Sequence, residues 1–278
     1  MGEIAAPGPS LHVEVKAEET PMKVRGVWAG YNGGHVALED VSFNLERGSL
    51  VGLVGPNGSG KSTLLKVILG LHRPWRGSVS IFGESPAAGR RRLGYAPQSE
   101  LVDWSFPVTV ADVVGMGRIG PMPGLPASRL WRRSSWEDGH IVRRCLERTN
   151  LVHLAKRAIG ELSGGEQRRM LIARALAREP DISLLDEPMA GLDAGSQHDI
   201  LHLFEHLRDD GKTLLVATHD LSCVAECFNL ALLLHRRVVA YGPPSQVFTR
   251  DNLDGTYEAH LLFVPPEGVA YSPHHHHG

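Results

Sequence analysis

The chain has 278 residues, 42% of them apolar and 22% charged, with a formal net charge of −2. That length can bury a large core in one domain or two closely joined ones, and the charge balance gives no global attraction to nucleic acid. No apolar run approaches the ~20 residues that a membrane-crossing helix needs.

Residues 1–21, rich in Pro, Gly and acidic side chains, have neither the basic start nor the apolar stretch of a secretory signal and read as a flexible N-terminal tail. From residue 22, KVRGVWAGY, HVALEDVSFNLE and GSLVGLVG carry β-branched and alternating apolar residues between Gly and Asn turns, which predicts strands. The third runs through GPNGSGKST into the apolar-faced helix LLKVILGL, and SVSIFG follows as a further strand. From about Ser99 to Arg178 helical periodicity takes over in VTVADVVGMGR, EDGHIVRRCLERTNLVHLA and LSGGEQRRMLIARAL. PMPGLPASRLWRRSSW, between the first two, reads as a surface excursion, either solvated or in contact with a partner or lipid headgroups. After Pro180, DISLLDEP and KTLLVATHD are continuous apolar strands separated by an amphipathic helix, and LALLLHRRVVAYG reads as a hairpin. Buried strands alternating with helices imply a mostly parallel sheet covered on both faces. Residues 251–278 read as a C-terminal tail ending in a His run, either a tag remnant or a native metal-catching segment. Cys145, Cys223 and Cys227 are too few and too odd in number for a disulfide framework and read as buried thiols.

Gly55–Thr63 fits G-x-x-x-x-G-K-[ST] between a strand and a helix, the context that gives the pattern its meaning. Gly55, Pro56, Asn57, Gly58, Ser59 and Gly60 shape a loop whose backbone N–H groups converge on phosphate. Lys61 neutralises β/γ charge, Ser62 offers a hydroxyl to Mg²⁺, and Thr63 continues the cradle. Asp186 stands at the end of an apolar strand as the second Mg²⁺ ligand, Glu187 next to it is the candidate general base, and His219 ends a neighbouring strand as a donor to γ-phosphate. LSGGEQRR is a helix start opened by glycines, and Ser163-x-x-Glu166 is a capping box.

Taken in order, GPNGSGKST, YAPQ, LSGGEQ, ISLLDEP, AGLD and ATHD resemble the nucleotide-binding subunit of ATP-binding cassette (ABC) transporters over roughly residues 22–250. The resemblance implies an α/β fold: a P-loop NTPase (RecA-like) core, residues 22–98 and 179–250, with an N-terminal antiparallel β-subdomain and an inserted α-helical subdomain at 99–178. It implies ATP and Mg²⁺ as ligands. It makes Tyr31, with Trp28 as rival, the aromatic that stacks on adenine. Gln98 becomes the glutamine that reaches the metal and the attacking water, and Asp193 the loop acid that crosses between subunits. Glu166 stands where the commonest pattern has Gln. QSELVDWSFPVTVADVVGMGR and YNGGHVALEDVSFNL are similar to subunits that drive uptake of manganese, zinc or iron.

The implied mechanism is a head-to-tail dimer of two copies. One gives Tyr31, the phosphate loop, Gln98, Asp186, Glu187 and His219 to each ATP, and the other gives Ser163, Gly164 and Gly165. Arg168 and Arg169, costly at a helix start, would then be tolerated near the charges of the closed dimer. A polytopic permease, met by an apolar cluster around Trp104 and Phe106, would carry the ion, with an extracytoplasmic metal-binding protein involved indirectly and no nucleic acid. The subunit would sit peripherally on the cytoplasmic face of the membrane. The alternatives are an ABC ATPase for another substrate or for export, or one acting in regulation or DNA repair.

Overall fold

The structure is a computed structural model that describes residues 20–31, 34–98, 102–118 and 136–257. The Pro/Ser-rich excursion up to residue 135, the N-terminal tail and the terminal His run lie outside the described residues. Strands β1 (Met22–Tyr31), β2 (His35–Leu45) and β4 (Arg76–Ile81) form an antiparallel sheet in the order β2-β1-β4. In β2, Val41, Phe43 and Leu45 are buried while Ser42 is exposed, the alternation of a sheet with one covered face. A second sheet has the order β5-β6-β7-β3-β8-β9, built from β3 (Leu50–Val54), β5 (Leu93–Ala96), β6 (Ile182–Asp186), β7 (Thr213–Thr218), β8 (Leu230–His235) and β9 (Arg237–Gly242). Every neighbouring pair is parallel except the β8–β9 hairpin.

β3, β6 and β7 are buried at every position, and their alternate side chains serve two cores. Leu53, Leu184, Leu215 and Leu232 pack with the antiparallel sheet and α1 (Lys61–Ile68). Leu50, Leu185, Val216 and Leu233 pack with the helices on the other face. This is why the strands read as unbroken apolar runs.

α2 (Pro86–Gly89) lies between β4 and β5 and packs on β4, and the inserted region follows β5. Its helices are α3 (Val110–Met116), α4 (Trp136–Arg148) and α5 (Gly164–Leu176). Val110, Val114, Ile141, Cys145, Met170 and Ile172 bury their apolar stripes together. α6 (Ala194–Asp209) and α7 (Leu221–Cys227) cover the parallel sheet, and short α8 (Pro244–Val247) and α9 (Arg250–Asp254) follow β9. Leu253 is fully buried and Thr256 1% exposed, so the packed body continues to Tyr257 rather than giving way to a tail at 251. Cys145 is buried and burial pushes its thiol up to about 11; the other two cysteines are half-buried on α7. No helix among the described residues is long and apolar enough to cross a membrane.

Candidate functional site

Because β3, β6 and β7 run parallel in register, with Val54 beside Thr218 and Asp186 beside Ala217, their C-terminal ends share one edge. The loop after β3 turns back into α1 through Gly58 at φ +80° and Gly60 at φ +102°, conformations that favour glycine. At Gly60 a Cβ would also lie 2.5 Å from the Ala37 carbonyl oxygen. Ser59 donates its N–H to Pro56 O, and its own carbonyl accepts from Arg236 N at 2.8 Å, which ties the loop to the β8–β9 turn. α1 starts without a side-chain cap and without an acidic residue in its first turn. Its leading N–H groups therefore lack an internal partner and suit an external anion.

Lys61, 8% exposed, donates from Nζ to Gly55 O at 2.6 Å and to Pro56 O at 3.2 Å. Burial lowers its pKa, against the pull of Glu187 and Asp186. Asp186 is buried, and burial followed by the Glu187 charge raises its pKa, while the Ser62 hydroxyl and Lys61 oppose the rise. Ser62 and Asp186 thus offer adjacent oxygen donors of the kind Mg²⁺ accepts. Glu187 sits at φ +51°, a position rare for a residue with a side chain, held by its N–H to Ala217 O at 3.0 Å. Its Oε2 is 3.0 Å from His219 Nδ1. The two residues therefore meet at the shared edge. Gln98 stands two residues beyond β5, half-buried, on the same edge as β6.

Tyr31 closes β1 with its hydroxyl 3.2 Å from Thr63 Oγ1 and its ring 5.1 Å from that of His72. Trp28 is half-buried in the strand, and its carbonyl accepts from Trp75 N. Tyr31 is the aromatic joined to the phosphate loop. Trp75, half exposed beside it, escaped the sequence reading; a Cβ at Gly30 would lie 2.5 Å from its ring. The only signal was a Trp in the turn after α1, which no spacing rule marks.

At the start of α5, Ser163 accepts from Glu166 N, while Glu166 accepts from Ser163 N at 2.7 Å and from its hydroxyl at 2.9 Å. The capping box is formed with Glu in place of Gln, and the Ser163 N–H holds the Glu166 carboxyl below its ordinary pKa. The two glycines differ. Gly164 is exposed, with nothing within 4 Å of an added Cβ, whereas a Cβ on Gly165 would stand 2.9 Å from Ser196 Oγ. Ser196 in turn donates to Asp193, the N-cap of α6, from N at 3.0 Å and Oγ at 2.8 Å. Gly165 thus has a packing reason of its own. Within the chain Arg168 reaches Ala190 O at 3.3 Å and Arg169 pairs with Asp199 at 3.4 Å, contacts that tie α5 to the segment after Glu187 and to α6. No hydrogen bond among the described residues joins Ser163 or Gly164 to the phosphate loop.

By the start of β5, between it and the helical region, lies a cavity of about 500 Å³ lined by Leu69, Leu71, Arg90, Tyr95, Met116 and Arg174. Leu71 and Met116 are exposed. Trp104 packs against the insert core and Phe106 is exposed, so the expected apolar cluster divides between core and surface.

A strand, a glycine loop, a lysine at a helix start and a buried acid at the end of β6, one strand removed from β3, define a nucleotide-phosphate-binding protein of the P-loop class. Residues 38–190 match the family model described as ABC transporter, and the chain belongs to that family. It is 41% identical over 250 residues to the manganese transport system ATP-binding protein MntB of Bacillus subtilis, covering 90% of this chain and 97% of the relative. It is 44% identical to the chelated iron transport system membrane protein YfeB of Yersinia pestis, covering 90% of this chain and 83% of the relative. The dimeric post-hydrolysis structure of the ATP-binding cassette MJ0796 bound to ADP and Pi superposes with a TM-score of 0.69 at 30% identity, covering 80% of this chain and 98% of that one. The protein is an ABC ATPase, which binds ATP and works with a membrane permease.

Proposed function

We propose that this ATPase energises transport of a divalent transition metal ion, manganese, zinc or iron, through a separate polytopic permease at the cytoplasmic face of the membrane. The meeting of Glu187, His219, Asp186 and Lys61 at one sheet edge carries the hydrolytic part. Similarity to relatives named for manganese and chelated-iron transport supports the cargo.

Phosphates of ATP are held by the N–H groups of Gly58–Thr63 and by Lys61, with Tyr31 against the adenine. Ser62, Asp186 and Gln98 would hold Mg²⁺, which would neutralise β/γ charge. Glu187 takes the proton of the attacking water, the water oxygen bonds to the γ-phosphorus, and the bond to the β–γ bridging oxygen breaks to release ADP. His219 orients Glu187; with its Nδ1–H given to that carboxylate, a hydrogen bond from Nε2 to γ-phosphate requires the imidazolium form. Ser163 and Gly164 of a second copy, packed head-to-tail, complete the site, and Asp193 lies at the crossing between subunits. ATP then bridges two chains and its hydrolysis parts them. The groove lined by Leu71, Met116 and Arg174 receives a cytoplasmic helix of the permease, with an acidic residue to meet the arginines. An extracytoplasmic metal-binding protein delivers the ion to the permease.

The test is uptake of Mn²⁺, Zn²⁺ and Fe in cells whose only copy carries Lys61→Ala. Loss of uptake of one of them is expected. Unchanged uptake of all three would overturn the metal-transport reading.

A further inference from the structure

α6 carries His198, His202 and His206 at intervals of four residues, while Ile200, Leu203, Phe204 and Leu207 of the same helix face the core. Four-residue spacing stacks side chains on one helix face. His198 and His202 are exposed, their rings meet edge to face with centroids 4.2 Å apart, and their Nε2 atoms are 2.9 Å apart. Two nitrogens each about 2.0–2.1 Å from one metal and at right angles to each other lie about 2.9 Å apart. The pair therefore has the spacing of adjacent ligands, and a metal ion would replace the hydrogen bond that the two nitrogens share.

The neighbour of His202 suits the same role. Its Nδ1 lies 3.2 Å from Glu205 Oε2, which favours the tautomer with the proton on Nδ1 and the lone pair on Nε2. Metal-binding imidazoles are commonly oriented by such a carboxylate. Arg169 and Arg148, which line the same hollow as His202, are paired with Asp199 and Asp210. Among the described residues no three His, Cys, Asp or Glu side chains converge on one point, so water would complete the coordination.

We propose that His198 and His202 form a two-imidazole site for a nitrogen-preferring divalent ion such as Ni²⁺ or Cu²⁺. Neutral imidazoles rank these ions far above Mn²⁺, which prefers oxygen ligands. The site is thus separate from the Mg²⁺ of the ATP site and does not depend on the transported ion.

The test is Ni²⁺ titration of the full chain by calorimetry and equilibrium dialysis. Parent, His198→Ala, His202→Ala, His206→Ala and Glu205→Ala are compared, all retaining His274–His277. The parent should take up one Ni²⁺ more than His198→Ala or His202→Ala. His206→Ala should keep that ion, and Glu205→Ala should bind it about 10–100-fold more weakly. Mn²⁺ at the concentration that saturates with Ni²⁺ should leave the site unfilled. Unchanged Mg-ATP hydrolysis and metal-free melting in the variants would establish that they are folded, and Ni²⁺ should raise the melting temperature of the parent more than that of His198→Ala. Equal Ni²⁺ stoichiometry and affinity in parent, His198→Ala and His202→Ala would overturn the proposal, as would filling by Mn²⁺ at that concentration.

Discussion

Gly164→Ala separates what the fold requires at the start of α5 from what ATP requires. Gly164 is the first residue of the helix, exposed, and a Cβ there has nothing within 4 Å in the same chain. Alanine is favoured over glycine in a helix interior by up to about 1 kcal/mol, and less in a first turn, so the melting temperature without nucleotide should hold or rise by no more than about 2–4 °C. In the shared site the added methyl occupies the approach of a γ-phosphate oxygen to the backbone. Losing one hydrogen bond to a charged group costs about 1.5–3 kcal/mol, which weakens ATP-dependent association about 10–150-fold per site. The assay is analytical ultracentrifugation with Mg-ATP in a Glu187→Gln background, beside ATP affinity measured on the monomer. Monomer affinity should be unchanged. Dimerisation of Gly164→Ala with the strength of its background would refute the placement of the signature against a second chain's ATP. Gly165→Ala is the contrasting case. Its Cβ would lie 2.9 Å from Ser196 Oγ, which is held by Asp193, so it should lower stability by about 0.5–1.5 kcal/mol in the absence of any nucleotide.

Three further outcomes are expected. Glu187→Gln should cut ATP turnover by about 10²–10⁴-fold while preserving an ATP-bound dimer, read by phosphate release and sedimentation. Asp186→Asn should raise the nucleotide-free melting temperature at pH 7 and abolish Mg-ATP hydrolysis. The folded pKa of Asp186 lies above its ordinary value, so its charged form destabilises the fold at neutral pH, and the gap between variant and parent should shrink as pH falls through that pKa. Leu253→Ala should cost about 2–5 kcal/mol in a denaturant titration, because its side chain is fully buried in the main core. Wild-type stability for that variant would mean that the packed body does end near residue 250.

The α/β fold could be read from sequence because its strands are extreme. β3, β6 and β7 are buried on both faces, and such strands appear as unbroken apolar runs ending in the residues that do the chemistry. The arrival of Glu187 and His219 at one edge followed from that, because parallel strands deliver their last residues to the same edge; their direct contact did not. What stayed hidden depends on contacts between distant segments. Nothing in LSGGEQ says that Ser196 packs on Gly165, or that Arg168 and Arg169 find partners on the segment after Glu187 and on α6. The left-handed backbone of Glu187 is invisible for the same reason, since the Ala217 carbonyl that holds it lies on another strand. The packing of residues 251–257 is not legible in the sequence because α9 is short and mostly polar. A single Leu253 with Thr256 behind it gives no periodic signal.

The bare start of α1 has a consequence for where negative charge can settle on this face. Three helices begin there, after β3, β6 and β7. α6 opens on Asp193, which accepts from Ser196 N, and α7 opens on Asp220, which accepts from Cys223 N at 2.9 Å. Both positive ends are therefore neutralised from within the chain, and each presents a carboxylate that repels an incoming phosphate. α1 has no such acid. The face thus sorts anions by charge before any shape is tested: two doors are shut by aspartate and one is open beside Lys61.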